Sequence, residues 1–156
     1  MGQIDIDLMN AVNAELIDVA DALTERRVDG LSVPHIHEFS TLYVYEDPSD
    51  LLTFFKTDPA DKDFRCPFVQ RPYGGWNPDF ENRYFTEDIP IGLRICKGIA
   101  DLVQVPTPAT DEIISWAQKH IGKEYIVEGN LCGKDIAEKR ASQAFGIDLQ
   151  ALLQMS

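Results

Sequence analysis

Little in this chain is basic. Its 156 residues hold 14 Lys and Arg against 26 Asp and Glu, a formal net charge of −12. That excludes non-specific binding to nucleic acid or to an anionic membrane, since both need clustered cations. Cysteine is scarce too. Cys66, Cys96 and Cys132 are odd in number and far apart, so neither a C-x-x-C redox pair nor a zinc knuckle is encoded. Reduced thiols in the cytoplasm are the expectation. No apolar run approaches the roughly 20 residues needed to cross a bilayer. Residues 1–8 lack the basic region and apolar core of a signal peptide. Also missing are a Gly-rich phosphate loop between a strand and a helix, a G-x-S-x-G elbow and any internal repeat. Strand-like alternation is weak everywhere, so the expected class is all-α, in a single domain over residues 1–156.

What is present reads as helices. Leu8, Val12, Leu16, Val19 and Leu23 recur at steps of three and four, which predicts one amphipathic helix over residues 5–27. Asp5 and Asp7 near its start and Arg26 and Arg27 near its end complement the helix dipole. Gly30 and Pro34 stop it. Residues 38–45 lean towards helix. Pro48-Ser49-Asp50 opens a short helix through Leu51, Leu52, Phe54 and Phe55. Residues 59–82 form a long turn-rich segment carrying Phe64, Phe68, Tyr73, Trp76 and Phe80. Those rings either staple the loop to the core or, for Trp76 or Tyr73, line a ligand cleft.

A helix is expected over residues 88–103, capped by Thr86 or Asp88, with Pro90 in its first turn. Its buried stripe would be Ile91, Ile95, Ile99 and Leu102. Gly92 and Gly98 weaken it by about 1 kcal/mol each, which points to close approach by a backbone or ligand. The next helix, within residues 105–122, has Thr107 as cap, Pro108 at the first position, and Asp111 and Glu112 early. Lys119 and His120 come late and Gly122 ends it. Ile113, Ile114, Ala117 and Ile121 give its apolar face, and His120 reads as a helix-end side chain. Two further short helices are expected over residues 134–144 and 148–155.

Few residues suggest chemistry. His35-Ile36-His37 is the one close histidine pair, and it has no neighbours at metal-ligand spacing; no metal ligand is expected. The informative stretch is Arg83-Tyr84-Phe85-Thr86-Glu87-Asp88-Ile89-Pro90-Ile91-Gly92. An arginine offers a planar fork of donors that matches a carboxylate and stays charged at any useful pH. Asp88, at a helix start, can serve as an acid/base group or hold the arginine in orientation. Glu87 is a second acid there, either a ligand contact or a helix-start charge. A purely structural Arg83–Asp88 ion pair is the competing reading.

That stretch with Leu93, followed by Val105-Pro106-Thr107-Pro108-Ala109 and Asp111, resembles the carboxy-terminal helical domain of the octopine/nopaline (opine) dehydrogenase family. The specific match covers residues 81–130; the first helix, the Val33-Pro34 turn and the loop ending at Trp76 fit more loosely. The resemblance implies a helical domain like that of opine and 6-phosphogluconate-type dehydrogenases. Such enzymes join an amino acid to an α-keto acid and reduce the imine with NADH or NADPH. It implies that Arg83 binds a substrate carboxylate or polarises the carbonyl, and that Asp88 orients the polar network. Trp76, Tyr84 and Glu87 join Arg83 as substrate contacts. The NAD or NADP site and the acid/base histidine are expected outside this chain, so no cofactor-binding residue is assigned here and the chain alone should be inactive.

Two other classes stay open: a stand-alone binding module without catalysis, and an assembly module using the first helix as its interface. The second would be favoured by Arg83 and Asp88 buried against each other with no cleft. Apolar surface left without its neighbour also predicts a homodimer, beside a possible separate Rossmann-domain subunit.

Overall fold

The computed structural model describes residues 3–26, 51–57 and 65–136, with the single positions 59, 148 and 150. The expectations for residues 38–45, for His35 and His37, for Phe64 and for most of the two tail helices lie outside the described residues. Four α-helices, a π-helical segment and one hairpin make up the described fold: α1 (Gln3–Glu25), α2 (Leu51–Thr57), β1 (Phe68–Gln70), β2 (Trp76–Pro78), the π-helical segment (Tyr84–Leu93), running directly into α3 (Arg94–Val103), and α4 (Pro108–His120). The all-α class holds, because the only sheet among the described residues is this two-stranded hairpin.

The hairpin sits in the segment expected to be irregular. Phe68 pairs with Pro78 and Gln70 with Trp76. Gly74 donates its N–H to Arg71 O at 3.2 Å, closing a turn with Pro72 at its second position. Gly74 and Gly75 take φ of 92° and 84°, angles open to glycine and costly for other residues. Strands of three residues are too short to show alternation, so turn chemistry was the only signal.

Two apolar clusters hold the helices. Val19 and Leu23 of α1 pack with Ala100 and Val103 of α3. Ile89 of the π-helical segment packs with Ile114 and Ala117 of α4 and with Tyr125, Ile126 and Leu131 beyond it. Fully burying such a side chain contributes about 1.5–3 kcal/mol. The Gln118 side chain ties residues 125–126 to α4. Its Oε1 accepts the Tyr125 and Ile126 N–H groups at 2.8 and 3.0 Å, and its Nε2 donates to Ile126 O at 3.0 Å. Arg26 closes the other end of the fold, donating to Ala22 O at 2.7 Å and to Val103 O at 3.1 Å.

Three sequence expectations need correction. The helix before α3 begins at Arg83–Tyr84, not at residue 88. Neither Thr86 nor Asp88 caps it; Asn82 does, its Oδ1 accepting the Tyr84 N–H at 3.2 Å. Second, the buried stripe is rotated. Ile91 is exposed, whereas Ile89, Pro90, Arg94, Lys97, Gly98, Ala100 and Val103 are buried. A π-helical turn holds more residues than an α turn, so every later position shifts in phase. Third, the space around Gly92 is open, since a Cβ there would meet nothing within 4 Å. No backbone of the described residues therefore approaches it.

Candidate functional site

The Arg83–Asp88 segment is positioned by an aromatic anchor. Phe80, just after β2, stacks flat on His120 of α4 with ring centroids 4.6 Å apart and an interplanar angle of 2°. Phe80 also meets Phe85 edge-on at 4.9 Å, and Phe85 lies 6.0 Å from Trp116. Arg83 therefore stands between two rings that are docked on α4, and His120 is part of that dock. Of the four described aromatics in the turn-rich segment, Phe80 does the stapling. Phe68, Tyr73 and Trp76 stand in solvent.

The helix type decides where Asp88 points. In an α-helix, residues five apart lie about 140° around the axis from each other. In a π-helix each N–H bonds the carbonyl five residues back, which brings such residues nearly over one another. Tyr84–Leu93 is wound this way, and the Arg94 N–H closes it on Ile89 O. Pro90 favours the wider winding, because in an α-helix its ring would clash with the carbonyl of Thr86. Before the winding widens, the Asn82 carbonyl starts the helix in the tighter register, accepting from the Phe85 and Thr86 N–H groups at 2.9 and 3.1 Å and from the Thr86 hydroxyl at 3.3 Å.

The result is an Arg83 Nη2–Asp88 Oδ1 separation of 4.0 Å, with side chains 69% and 53% exposed. A pair that long and that exposed contributes close to nothing to stability. The structural ion-pair reading thus has little energetic content, and the pair is not buried in the way that would favour an assembly role. Both groups keep most of their donors and acceptors facing solvent. Trp76 opens β2, Tyr84 opens the π-helical segment, and Glu87 follows; all three are exposed. Neither Trp76 nor Glu87 makes a hydrogen bond or ion pair to Arg83 or Asp88 among the described residues. The structure brings the arginine to the aspartate and leaves Trp76, Tyr84 and Glu87 exposed.

A second set of charges went unrecognised in the sequence. Glu15 of α1 is buried, and its carboxylate accepts the Ala109 N–H at 2.6 Å, the Thr110 N–H at 3.0 Å and the Thr110 hydroxyl at 2.7 Å. It caps α4 from another helix, where a carboxylate suits both the free N–H groups and the dipole. Thr107 occupies the expected cap position but makes no side-chain capping bond. Lys97, also buried, contacts Asp101 Oδ1 at 2.9 Å and Asp111 Oδ1 at 3.0 Å. Asp111 therefore serves Lys97 as well as the helix start. Burial lowers the Lys97 pKa, but hydrogen bonds and attraction from the two aspartates outweigh it and hold it above its usual value. Arg94 is fully buried, donating to the carbonyls of Asp135 and Ile136 at 3.3 and 3.1 Å and lying 5.0 Å from the Tyr125 ring centre.

These charges had a readable signal only in part. Glu15 falls four residues before Val19 and three after Val12, on the apolar stripe itself, and a charge in that register marks a buried partner. Lys97 and Arg94 had none, because their burial follows from the π-helical shift.

A helix N-terminus is the usual seat for a dinucleotide's pyrophosphate, and that of α4 is filled by Glu15. No group of three or more His, Cys, Asp or Glu among the described residues is placed to hold a metal ion. The three cysteines are free, and burial pushes the Cys96 thiol up, away from reactivity. No helix among the described residues is long and apolar enough to cross a membrane.

Comparison with known proteins places this geometry. Residues 4–121 match the family described as NAD/NADP octopine/nopaline dehydrogenase, alpha-helical domain. The chain is 40% identical over 153 residues to tauropine dehydrogenase of Arabella iricolor, covering 95% of this chain and 38% of that protein. It is 40% identical over 157 residues to octopine dehydrogenase of Pecten maximus, covering 97% of this chain and 39% of that protein. A solved structure of octopine dehydrogenase with NADH and L-arginine superposes with a TM-score of 0.88 at 37% identity, over 100% of this chain and 40% of its own. Another, with NADH and pyruvate, gives 0.85 at 36% identity, over 100% of this chain and 38% of its own. The chain thus spans about two fifths of the length of these relatives, and the matched portion is the helical one. On this evidence the chain belongs to the octopine/nopaline dehydrogenase family, as its α-helical domain.

Proposed function

We propose that this chain supplies the substrate-binding wall of an opine-dehydrogenase-like oxidoreductase. The full reaction would condense an amino acid with an α-keto acid and reduce the imine, with NADH or NADPH as the hydride source. The observation that carries the reading is the exposed Arg83–Asp88 pair on a π-helical turn, within a domain whose relatives are solved with NADH and with pyruvate or L-arginine.

Each residue then has a task. The Arg83 guanidinium binds a substrate carboxylate through its fork, or lies against the carbonyl that becomes the imine. Asp88 limits the rotamers of Arg83 and accepts a hydrogen bond from the substrate amine. Trp76 and Tyr84 present apolar faces beside the cation, and Glu87 adds a second acceptor. All five are open to solvent, so the opposite wall must come from elsewhere. A Rossmann domain, in a longer polypeptide or a separate subunit, is the partner that supplies it, along with the nicotinamide and the proton-transferring group. Reaction rate depends on positioning across that cleft, so this chain alone is inactive. The enzyme would work in the cytoplasm.

A homodimer belongs to the same reading. Leu8, Met9, Val12 and Leu16 of α1 with Ile113 of α4 line an open apolar hollow of about 520 Å³, a surface that favours a partner. Sedimentation showing a monomer at high concentration removes the dimer without touching the site.

The decisive experiment mixes the chain with a Rossmann domain of this family, NADH, pyruvate and a panel of amino acids, and follows loss of reduced nicotinamide. Turnover that disappears with Arg83→Ala supports the assignment. No turnover with any amino acid, or undiminished turnover in Arg83→Ala, rejects it.

A further inference from the structure

The helix that carries Arg83 changes its winding twice. It starts tight, where the Asn82 carbonyl accepts from the Phe85 and Thr86 N–H groups. It is tight again at the end of α3, where the Gln104 N–H returns to the Ala100 carbonyl, four residues back. Between them it is wide, and the Arg94 N–H reaches five residues back to Ile89 O. We propose that Pro90 is the positioning residue of the Arg83 site: its ring locks the wide winding that holds Asp88 beside Arg83. The lock stands on the backbone alone; its effect on a substrate rests on the function proposed above.

A wide winding is rare and has to be imposed. The neighbouring hydrogen bonds show where. Thr86 donates to Asn82 O at 3.1 Å, four residues back. A helix continued in that register would set residue 90 against the Thr86 carbonyl. Pro90 has no N–H to offer that oxygen, and its ring would overlap it. When each donor reaches five residues back, the Thr86 carbonyl falls to Ile91 and the ring is set off from it. Pro90 is buried and lies inside the wide stretch, not at either tight end.

Two other causes compete. Gly92 also disfavours an α-helix. It takes no positive φ, and a Cβ there would meet nothing within 4 Å, so it suits either winding. The second is packing at the ends of the stretch. Phe85 is docked on Phe80 and Trp116, and Arg94 is held by the carbonyls of Asp135 and Ile136. Those docks hold the ends whatever winds the turns between, so removing the ring alone separates the two causes.

The consequence falls on Asp88. In an α-helix it would stand about 140° around the axis from Arg83; here the two side chains approach to 4.0 Å. Losing the ring returns an N–H to position 90, and the tight register can then run from Asn82 into α3. Asp88 leaves Arg83, and the guanidinium loses its restraint. Pro90 thus acts on a substrate through Asp88.

The test reads scalar couplings across hydrogen bonds in the isotope-labelled full chain, which identify the carbonyl that each N–H uses. The parent couples the Arg94 N–H to the Ile89 carbonyl. In Pro90→Ala the coupling should move to the carbonyl of position 90. It should move in Pro90→Val too, which keeps more of the buried volume. Gly92→Ala should keep the parent coupling. An Ile89 coupling retained in both proline variants overturns the lock. So does a move in Pro90→Ala but not in Pro90→Val, or one produced by Gly92→Ala alone. The kinetic arm mixes the chain with a Rossmann domain of this family, NADH, pyruvate and an amino acid. Pro90→Ala should raise the amino acid KM about tenfold, the loss of one hydrogen bond to a charged group, and should add nothing to Asp88→Ala. Effects that add in the double variant overturn the positioning role. If the parent assembly shows no turnover, the proposed function fails, and the couplings still decide the lock.

Discussion

Two sets of charges divide this molecule. Glu15, Lys97 and Arg94 are buried, each held by two or more short contacts that cross between elements. Arg83 and Asp88 are exposed, linked by a single separation of 4.0 Å within one helix. The first set costs desolvation and is repaid in hydrogen bonds that fix how α1, α3 and α4 meet. The second set is spared that cost and leaves its donors unspent. Charges that build this fold and charges proposed to meet a ligand differ in burial and bond count, since their residue types are the same.

The sharpest way to break the contrast is Glu15→Ala. It strips α4 of its cap and leaves two N–H groups and a hydroxyl in a dry site, a loss of about 3 kcal/mol. Urea denaturation measures it, and a loss no larger than a surface change would end the distinction. Arg94→Met comes next, at about 2 kcal/mol, because the carbonyls of Asp135 and Ile136 lose a charged donor while methionine keeps much of the volume.

The third test is pH. Lys97 has a folded pKa raised above its ordinary 10.5, so its stabilisation is complete below pH 10.5 and is lost as pH climbs through the folded value. Denaturation midpoints should therefore fall more steeply above pH 10.5 in the parent than in Lys97→Met. Parallel curves would mean that the ammonium contributes nothing.

The smallest expected effect is the most telling. Arg83→Ala and Asp88→Ala should each shift stability by less than about 0.5 kcal/mol, although Arg83→Ala is expected to abolish carboxylate recognition in the assembled enzyme. If either variant unfolds the chain as readily as Glu15→Ala does, the exposed pair is structural and its proposed role fails.

The stretch from Arg83 to Gly92 was legible as a candidate site because it joins a fork-shaped cation, two acids and a helix boundary in ten residues. Its winding was not legible. Pro90 was expected in a first turn, where its missing N–H is harmless, yet it sits six positions into a π-helical segment. From that point the phase of the helix differs from any 3.6-residue count, which is why Ile91 was expected inside and the burial of Arg94 and Lys97 was not foreseen. Thr107 shows the same limit at a cap. Its place in the chain was right, but the bond is made by Glu15, 92 residues earlier.

The amino-acid sequence by itself determined the helical class, the span of α1 to within two residues at each end, the α2 helix, and the start and stop of α4. Those depend on local periodicity, proline and glycine, which act within a few residues. Tertiary structure alone decided which charges are buried, which carboxylate caps α4, and that Arg83 and Asp88 share one side of a helix. Each of those outcomes rests on contacts between distant segments or on a change of helical register, which leave no periodic trace in the chain apart from the place of Glu15 on the apolar stripe of α1.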